Sequence, residues 1–276
     1  MRLALIFAAG VALAATTVPE DYARWRAHYE AGLKAPDGWL SVAGLSWLQE
    51  GANTVELPAD ASQKTLALRL DHGKVTYQGR QLKTDTADHP DELRFGEVMV
   101  TIIERDGTSA QAEGSVVREQ KKFGARIRDP HTETRRDFRG CAWFPADPAW
   151  RIQAKWMAWP KPKTIAITNI LGMTDQEPSP GYAEFTLQGK TMRLEPVLED
   201  DELFFIFKDA TSTKSTYGAG RFLYAKLPKG NTVELDFNKA HNPPCAFTAF
   251  ATCPLPPKQN VLPAAIEAGE KRYGIH

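Results

Sequence analysis

Residues 66–82 read Leu66-Ala67-Leu68-Arg69-Leu70-Asp71-His72-Gly73-Lys74-Val75-Thr76-Tyr77-Gln78-Gly79-Arg80-Gln81-Leu82. Apolar side chains at 66, 68 and 70, and again at 75 and 77, recur every second residue, which places each set on one face of an extended chain. Residues 66–70 and 75–77 therefore predict strands. Gln78-Gly79-Arg80 predicts a tight turn into another, glycine supplying the positive φ that a hairpin tip demands. Downstream, Val98, Val100 and Ile102 alternate with Met99, Thr101 and Ile103, as in a well-buried strand. Further strands are predicted at 123–128, 150–156, 164–170, 182–187, 191–194, 203–207, 221–227 and 232–238. Many short strands at even spacing predict a mainly β fold, an antiparallel barrel or sandwich. Residues 185–192 repeat the pattern of 75–82 around a second Gln-Gly tip, a local likeness that needs no internal duplication.

Upstream of the strands the period is helical. Pro19-Glu20-Asp21 puts proline and two acids where a helix begins, and Tyr22, Trp25, Tyr29 and Leu33 follow on one face. They predict an N-terminal amphipathic helix of about fifteen residues that ends before the turn signal Pro36-Asp37-Gly38. Residues 39–48 are apolar and punctuated by glycine, the composition of a buried element.

Residues 1–15 read as a signal peptide: Arg2 is the positive start, 3–13 is apolar, and Ala12-Leu13-Ala14 offers small residues for cleavage near Ala14 or Ala15. As a helix the apolar run would span about 16 Å, roughly half a bilayer core. The expectation is a protein free in the periplasm or secreted, with no membrane span once the signal is removed. No linker rich in glycine, serine or repeated charge divides residues 16–276, which predicts a single mainly β domain. Lysine plus arginine equals aspartate plus glutamate at 34 each, so the chain has no electrostatic footprint for nucleic acid.

Three cysteines are present, Cys141, Cys245 and Cys253. In an oxidising compartment two would pair, and Cys245 with Cys253, eight positions apart across a proline-rich stretch, predicts a disulfide. Neither a CxxC nor an HxxxH pair exists, and His131 with Glu133 makes half a metal site at best, so no metal and no cofactor is expected.

The polar residues with the most to say lie in the last third. Arg221 shares a strand face with Leu223, Ala225 and Leu227, and a guanidinium on an apolar face requires a carboxylate, Asp209 or Asp236 being nearest in sequence. In residues 232–238, Val233, Leu235 and Phe237 sort to one face and Glu234, Asp236 and Asn238 to the other. That polar row either lines a pocket beside Arg221 or is the wet face of a strand whose Asp236 and Asn238 satisfy the following turn. The loop 209–220 crowds hydroxyls, Tyr217 and two glycines, suited to an anion or sugar or to bonding its own backbone. A second group, Arg105-Asp106-Gly107 with Arg126, Arg128 and Asp129, offers guanidinium forks for carboxylate or phosphate, or surface ion pairs; Arg128 with Asp129 is the pair singled out. A triad can be drawn from Ser46, His241 and Asp236, although Gly44-Leu45-Ser46-Trp47-Leu48 is not GxSxG.

Residues 36–53 from Pro36-Asp37-Gly38-Trp39-Leu40 to Glu50-Gly51-Ala52-Asn53, residues 216–222, and above all Asp236-Phe237-Asn238-Lys239-Ala240-His241-Asn242-Pro243-Pro244-Cys245-Ala246-Phe247 followed by Ala251-Thr252-Cys253-Pro254-Leu255-Pro256-Pro257 and Asn260 resemble the bacterial domain-of-unknown-function 1684 family. The likeness runs over nearly the whole chain after residue 15. It implies one uncharacterised domain and carries no catalytic role. The positions that match the family pattern are Arg128, Asp129, Asp209, Tyr217, Arg221, Asp236, Asn238, Asn242, Cys245 and Cys253.

Three functional expectations follow. The first is an exported β protein that binds a small polar or anionic ligand in a pocket lined by Tyr217, Arg221, Asp236 and Asn238, with Arg128, Asp129, Asp209 and Asn242 as further ligand-binding residues. The second is a hydrolase with Asp236 as acid or base and Arg221 as an electrostatic clamp. The third is an envelope interaction protein whose tryptophans at 25, 39, 47, 143, 150, 156 and 159 form part of a contact surface.

Overall fold

The computed structural model describes residues 20–109 and 118–274. The expected signal peptide, residues 1–15, lies outside them. Helix α1 (Glu20–Lys34) carries Glu20 and Asp21 in its first turn and Lys34 in its last, each sign on the favourable end of the helix dipole. It buries Tyr22, Arg26 and Leu33. A single 3-10 turn, Trp39–Ser41, then leads into the strands.

The strands are β1 (Val42–Trp47), β2 (Gly51–Glu56), β3 (Thr65–Asp71), β4 (Lys74–Tyr77), β5 (Arg80–Gln81), β6 (Glu92–Phe95), β7 (Val98–Ser109) and β8 (Arg118–Arg128). A one-turn helix α2 (Glu133–Asp137) precedes β9 (Arg151–Thr168), β10 (Met173–Leu187), β11 (Lys190–Leu194), β12 (Val197–Glu199), β13 (Glu202–Phe207), β14 (Arg221–Lys226) and β15 (Thr232–Asp236). Eight of them form one sheet in the order β1-β8-β7-β10-β9-β15, with β6 beside β7 and β11 beside β10. Strands β2 to β5 form a second sheet, and β12-β13-β14 a third. The pairing is antiparallel and the sheets include a half-barrel, so the mainly β fold with an N-terminal helix is as expected.

The alternation that predicted β3 is its burial pattern: Leu66, Leu68 and Leu70 face inward and their neighbours outward. They meet Val98, Val100 and Ile102 of β7 in one apolar cluster. A second cluster gathers Phe205, Phe207, Leu223, Leu235 and Phe237 from the third sheet, β15 and the turn that follows it. Both Gln-Gly tips have positive φ at their two central residues, 49° and 78° at Gln78 and Gly79, 53° and 73° at Gln188 and Gly189. This is the geometry that matches the twist of the flanking strands.

One correction concerns β9. Separate strands were expected at 150–156 and 164–170, yet β9 runs continuously through Pro160 and Pro162. Lys163 pairs with Ser179 and Ala158 with Gly181, so residues 159–162 bulge opposite a single residue and the missing N–H groups cost no ladder bonds. Gly181 is required there: a Cβ would lie 2.4 Å from the Met157 carbonyl oxygen.

None of the seven tryptophans is fully exposed; Trp156 is buried and the others are half-buried. Among the described residues no helix is long and apolar enough to cross a membrane.

Candidate functional site

Arg221 points inward, as its alternation with Leu223 and Ala225 predicted, and is 1% exposed. Its carboxylate partner is Asp209, not Asp236. Nη2 donates to Asp209 Oδ2 at 2.8 Å and to the Ile266 carbonyl at 3.0 Å, and Nη1 donates to the Ala268 carbonyl. Asp209 also accepts from the Thr211 amide at 2.9 Å and the Ile266 amide at 3.1 Å. In the same loop the Thr211 and Thr216 hydroxyls bond one another at 2.8 Å, so those hydroxyls serve the turn itself. Arg221 is thus a buried knot between β14, the loop that precedes it and the C-terminal segment, and it is not part of the lining of the cavity described below.

Asp236 and Asn238 are brought together, with Tyr22 rather than Arg221. Asp236 accepts from the Tyr22 hydroxyl at 3.1 Å and from the Asn238 amide at 3.3 Å, which caps the 3-10 turn Phe237–Lys239. Asn238, fully buried, exchanges two hydrogen bonds with the backbone of Asp147 at 2.9 and 3.0 Å. The turn-capping role accounts for both residues, and Asp236 in addition reaches the wall of a cavity.

That cavity, about 700 Å³, opens between α1, β9, β13, β14 and β15. Trp25, Gln153, Glu202, Tyr224, Lys226, Lys229, Glu234, Lys239 and His241 line it along with Asp236. The cavity holds one residue that sequence reasoning weighed only as part of a triad, His241. Main-chain bonds with Phe222 at 2.9 and 3.0 Å fix its backbone, and its ring lies 5.0 Å from Tyr29 and 6.1 Å from both Trp25 and Tyr224, stacked within 10° on Tyr224. Its Nδ1 lies 3.1 Å from the Lys239 carbonyl oxygen, which accepts only, so Nδ1 carries the hydrogen and Nε2 the lone pair. Among the described residues only Nδ1 of the ring has a hydrogen-bond partner, and Nε2 has none. Burial among the aromatic rings pushes the imidazole down to about 4, so the ring is neutral at pH 7. The triad is not assembled: Asp236 bonds Tyr22 and Asn238, and Ser46 pairs with Ala125 far along the large sheet.

Behind His241 lies a residue that sequence reasoning missed altogether. Glu270 is 0% exposed; its Oε2 accepts from the Asn242 amide at 2.7 Å and from the Tyr29 hydroxyl at 3.2 Å, the Cys141 thiol lies beside the carboxyl, and among the described residues no N–H or O–H donates to Oε1. Burial pushes this carboxyl up to about 7. Gly269, at φ 77°, makes the approach possible, because a Cβ there would lie 2.3 Å from the Ala240 carbonyl oxygen. A Gly-Glu-Lys-Arg stretch reads as solvated, so no sequence signal marks it. Asn242 is fully buried here, its Nδ2 donating to the Lys271 carbonyl at 2.8 Å.

Tyr217 lies elsewhere, its hydroxyl on the Cys245 carbonyl at 3.0 Å. The Cys245 amide donates to Cys253 Sγ at 3.2 Å, and both cysteines carry free thiols in this structure. A hydrogen bond from the Cys253 thiol draws Cys245 down to about 7. Arg128 and Asp129 do not pair. Arg128 donates to Thr101 Oγ1 at 3.1 Å, whereas Asp129 accepts from the His131 amide at 2.8 Å.

Comparison with known proteins agrees with the motifs at 216–222 and 236–260, whereas the stretch 36–53 lies outside the residues matched. The family described as "Protein of unknown function (DUF1684)" matches residues 136–271, which hold β9 to β15, most of the cavity wall, the Arg221 knot and Glu270. The solution NMR structure of an uncharacterized protein from gene locus rrnAC0354 of Haloarcula marismortui is 31% identical; the match covers 50% of this chain and 78% of that one, with a TM-score of 0.42. No curated protein matches the sequence. With the C-terminal motif, most of the cavity wall and the buried knot inside the matched residues, the chain belongs to the domain-of-unknown-function 1684 family.

Proposed function

We propose that the chain is an exported protein that binds a small hydroxylated anion, such as a sugar acid or sugar phosphate, in the cavity around His241. The observation that carries this reading is the Nε2 of His241, a hydrogen-bond acceptor without a partner among the described residues, on a ring that lines the cavity. A neutral acceptor selects a ligand hydroxyl. Trp25 and Tyr224 offer aromatic surface beside it, and among the described residues Lys226, Lys229 and Lys239 have no acid within ion-pair distance. These ammoniums favour a negative group on the ligand, as a few placed polar groups do in other small-molecule sites.

Isothermal titration with gluconate, glucuronate, glucose 6-phosphate and neutral glucose tests the reading. An anionic member binds the wild type, and His241→Phe, which keeps a ring in the aromatic stack but removes Nε2, binds it about tenfold more weakly, equivalent to about 1.4 kcal/mol. Equal affinity in the variant, or no binding of any of the four to the wild type, overturns it. Export rests on the expected leader at residues 1–15. N-terminal sequencing of protein recovered outside the cytoplasm should begin near Thr16, and an intact Met1 start would contradict export.

A further inference from the structure

A second group of charges lies on the large sheet, away from the His241 cavity. Arg126 and Arg128 are two residues apart on β8, so their side chains leave the same face, while Ala125 and Ile127 enter the apolar core on the other. Across the ladder Thr101 of β7 sits opposite Arg126, and Arg105, four residues further along β7, shares that face. Three guanidiniums thus share one side of two adjacent strands.

The protein supplies too few acceptors for them. Asp85 is the one carboxylate among the described residues within 4 Å of any of the three, and it is taken by Arg105 at 2.9 Å, with Arg126 at 3.9 Å. Asp37 and Glu92 act on Arg128 only from longer range. The Arg126 side chain is 5% exposed, with the Trp39 ring 5.0 Å from its guanidinium carbon, yet among the described residues its Nε and Nη2 have no hydrogen-bond partner. Arg128, half-buried beside it, donates through Nη1 to Thr101, and its Nε likewise has no partner among the described residues.

Buried donors are nearly always partnered in folded proteins, so three open ones in a single cluster call for an acceptor. Nε and Nη2 form one edge of a guanidinium, with parallel N–H bonds that meet two oxygens of a carboxylate or phosphate at once. We infer that Arg126 and Arg128 form a second binding site, for a small oxyanion: phosphate or carboxylate held on the Nε/Nη2 edge of Arg126, with Arg128 Nε as the third donor. Trp39 closes the site from the side of α1, and the half-buried Arg128 marks its open side. The anion supplies the negative charge that Asp85 alone does not.

The test is thermal unfolding of the full chain in sodium chloride against sodium phosphate and sodium acetate at matched ionic strength. In the wild type one of the two oxyanions raises Tm saturably above the chloride control, and the more effective one identifies the source as phosphate or carboxylate. Arg126→Met abolishes the rise, and Arg128→Gln moves its midpoint to at least tenfold higher anion concentration. His241→Phe leaves the rise intact, which separates this site from the cavity: loss of one response says nothing against the other. No rise above chloride in the wild type, or an unchanged rise in Arg126→Met, overturns the proposal. Should Arg126→Met fail to fold, an unchanged midpoint in Arg128→Gln does the same.

Discussion

Replacing Arg221 with methionine lowers the free energy of unfolding by about 3–5 kcal/mol, the range for removing one partner of a buried ion pair. The loss is large because Asp209 stays behind. Its side chain is 0% exposed and it would keep a negative charge with only the Thr211 and Ile266 groups to solvate it. The Ala268 and Ile266 carbonyls, which accept from Arg221, would lose their donors in the same step. Asp209→Asn should cost a comparable amount, since the guanidinium would then be buried alone. Arg221→Met combined with Asp209→Leu should recover part of the loss, because removing both charges removes the uncompensated one. Urea unfolding of the four proteins measures this. A loss below about 1 kcal/mol for Arg221→Met would contradict a structural pair of this burial.

The second large effect is a pair of opposed pH dependences that nearly cancel in the wild type. Burial raises Glu270 from 4.5 to about 7, so its neutral form stabilises the fold fully below about pH 4.5, and this contribution is lost as pH rises to about 7. Burial lowers His241 from 6.5 to about 4, so its contribution is complete above about pH 6.5 and is lost as pH falls towards 4. Each displacement corresponds to about 3 kcal/mol. Tyr29 joins the two sites, its hydroxyl on Glu270 and its ring 5.0 Å from His241. Between about pH 4.5 and 6.5 the slopes are equal and opposite, so these two groups leave wild-type stability nearly level. Glu270→Gln should expose the histidine slope, with stability rising by about 3 kcal/mol from pH 4.5 to 6.5, and His241→Phe should expose the reverse. Urea unfolding across that range measures the slopes. A Glu270→Gln profile parallel to that of the wild type would show that the carboxyl is not held neutral.

These two sites also mark how far the sequence carries. Helix α1 was legible to its ends because its signals are local: acids at the start and Pro36-Asp37-Gly38 beyond the finish. Strand β3 was legible because one face is wet and one is dry, so its period shows. Strand β9 was misread across Pro160 and Pro162, since a proline signals a break unless a bulge absorbs it, and the bulge of 159–162 shows only in the register against β10. The inward turn of Arg221 could be read from alternation alone. Its choice of Asp209 over Asp236 could not, because both lie nearby in sequence and only packing against residues 266–268 decides. Arg128 and Asp129 were paired on adjacency, whereas neighbours at a strand end point apart and find separate partners. His241 and Glu270 lie in irregular segments with no period to read. Their burial is set by a close approach at Gly269 that no local rule encodes.

The proposed ligand site rests on one state of one ring: His241 neutral, hydrogen on Nδ1, lone pair on Nε2. Two-dimensional 1H–15N correlation spectra of the histidine ring nitrogens, recorded on the full chain from about pH 7 down to about pH 4, report that state directly. The prediction is a neutral Nδ1–H tautomer that persists below pH 5, with the Nε2 resonance moving when the bound anion is added. A ring that gains its second proton near pH 6.5, or carries its hydrogen on Nε2, would contradict it.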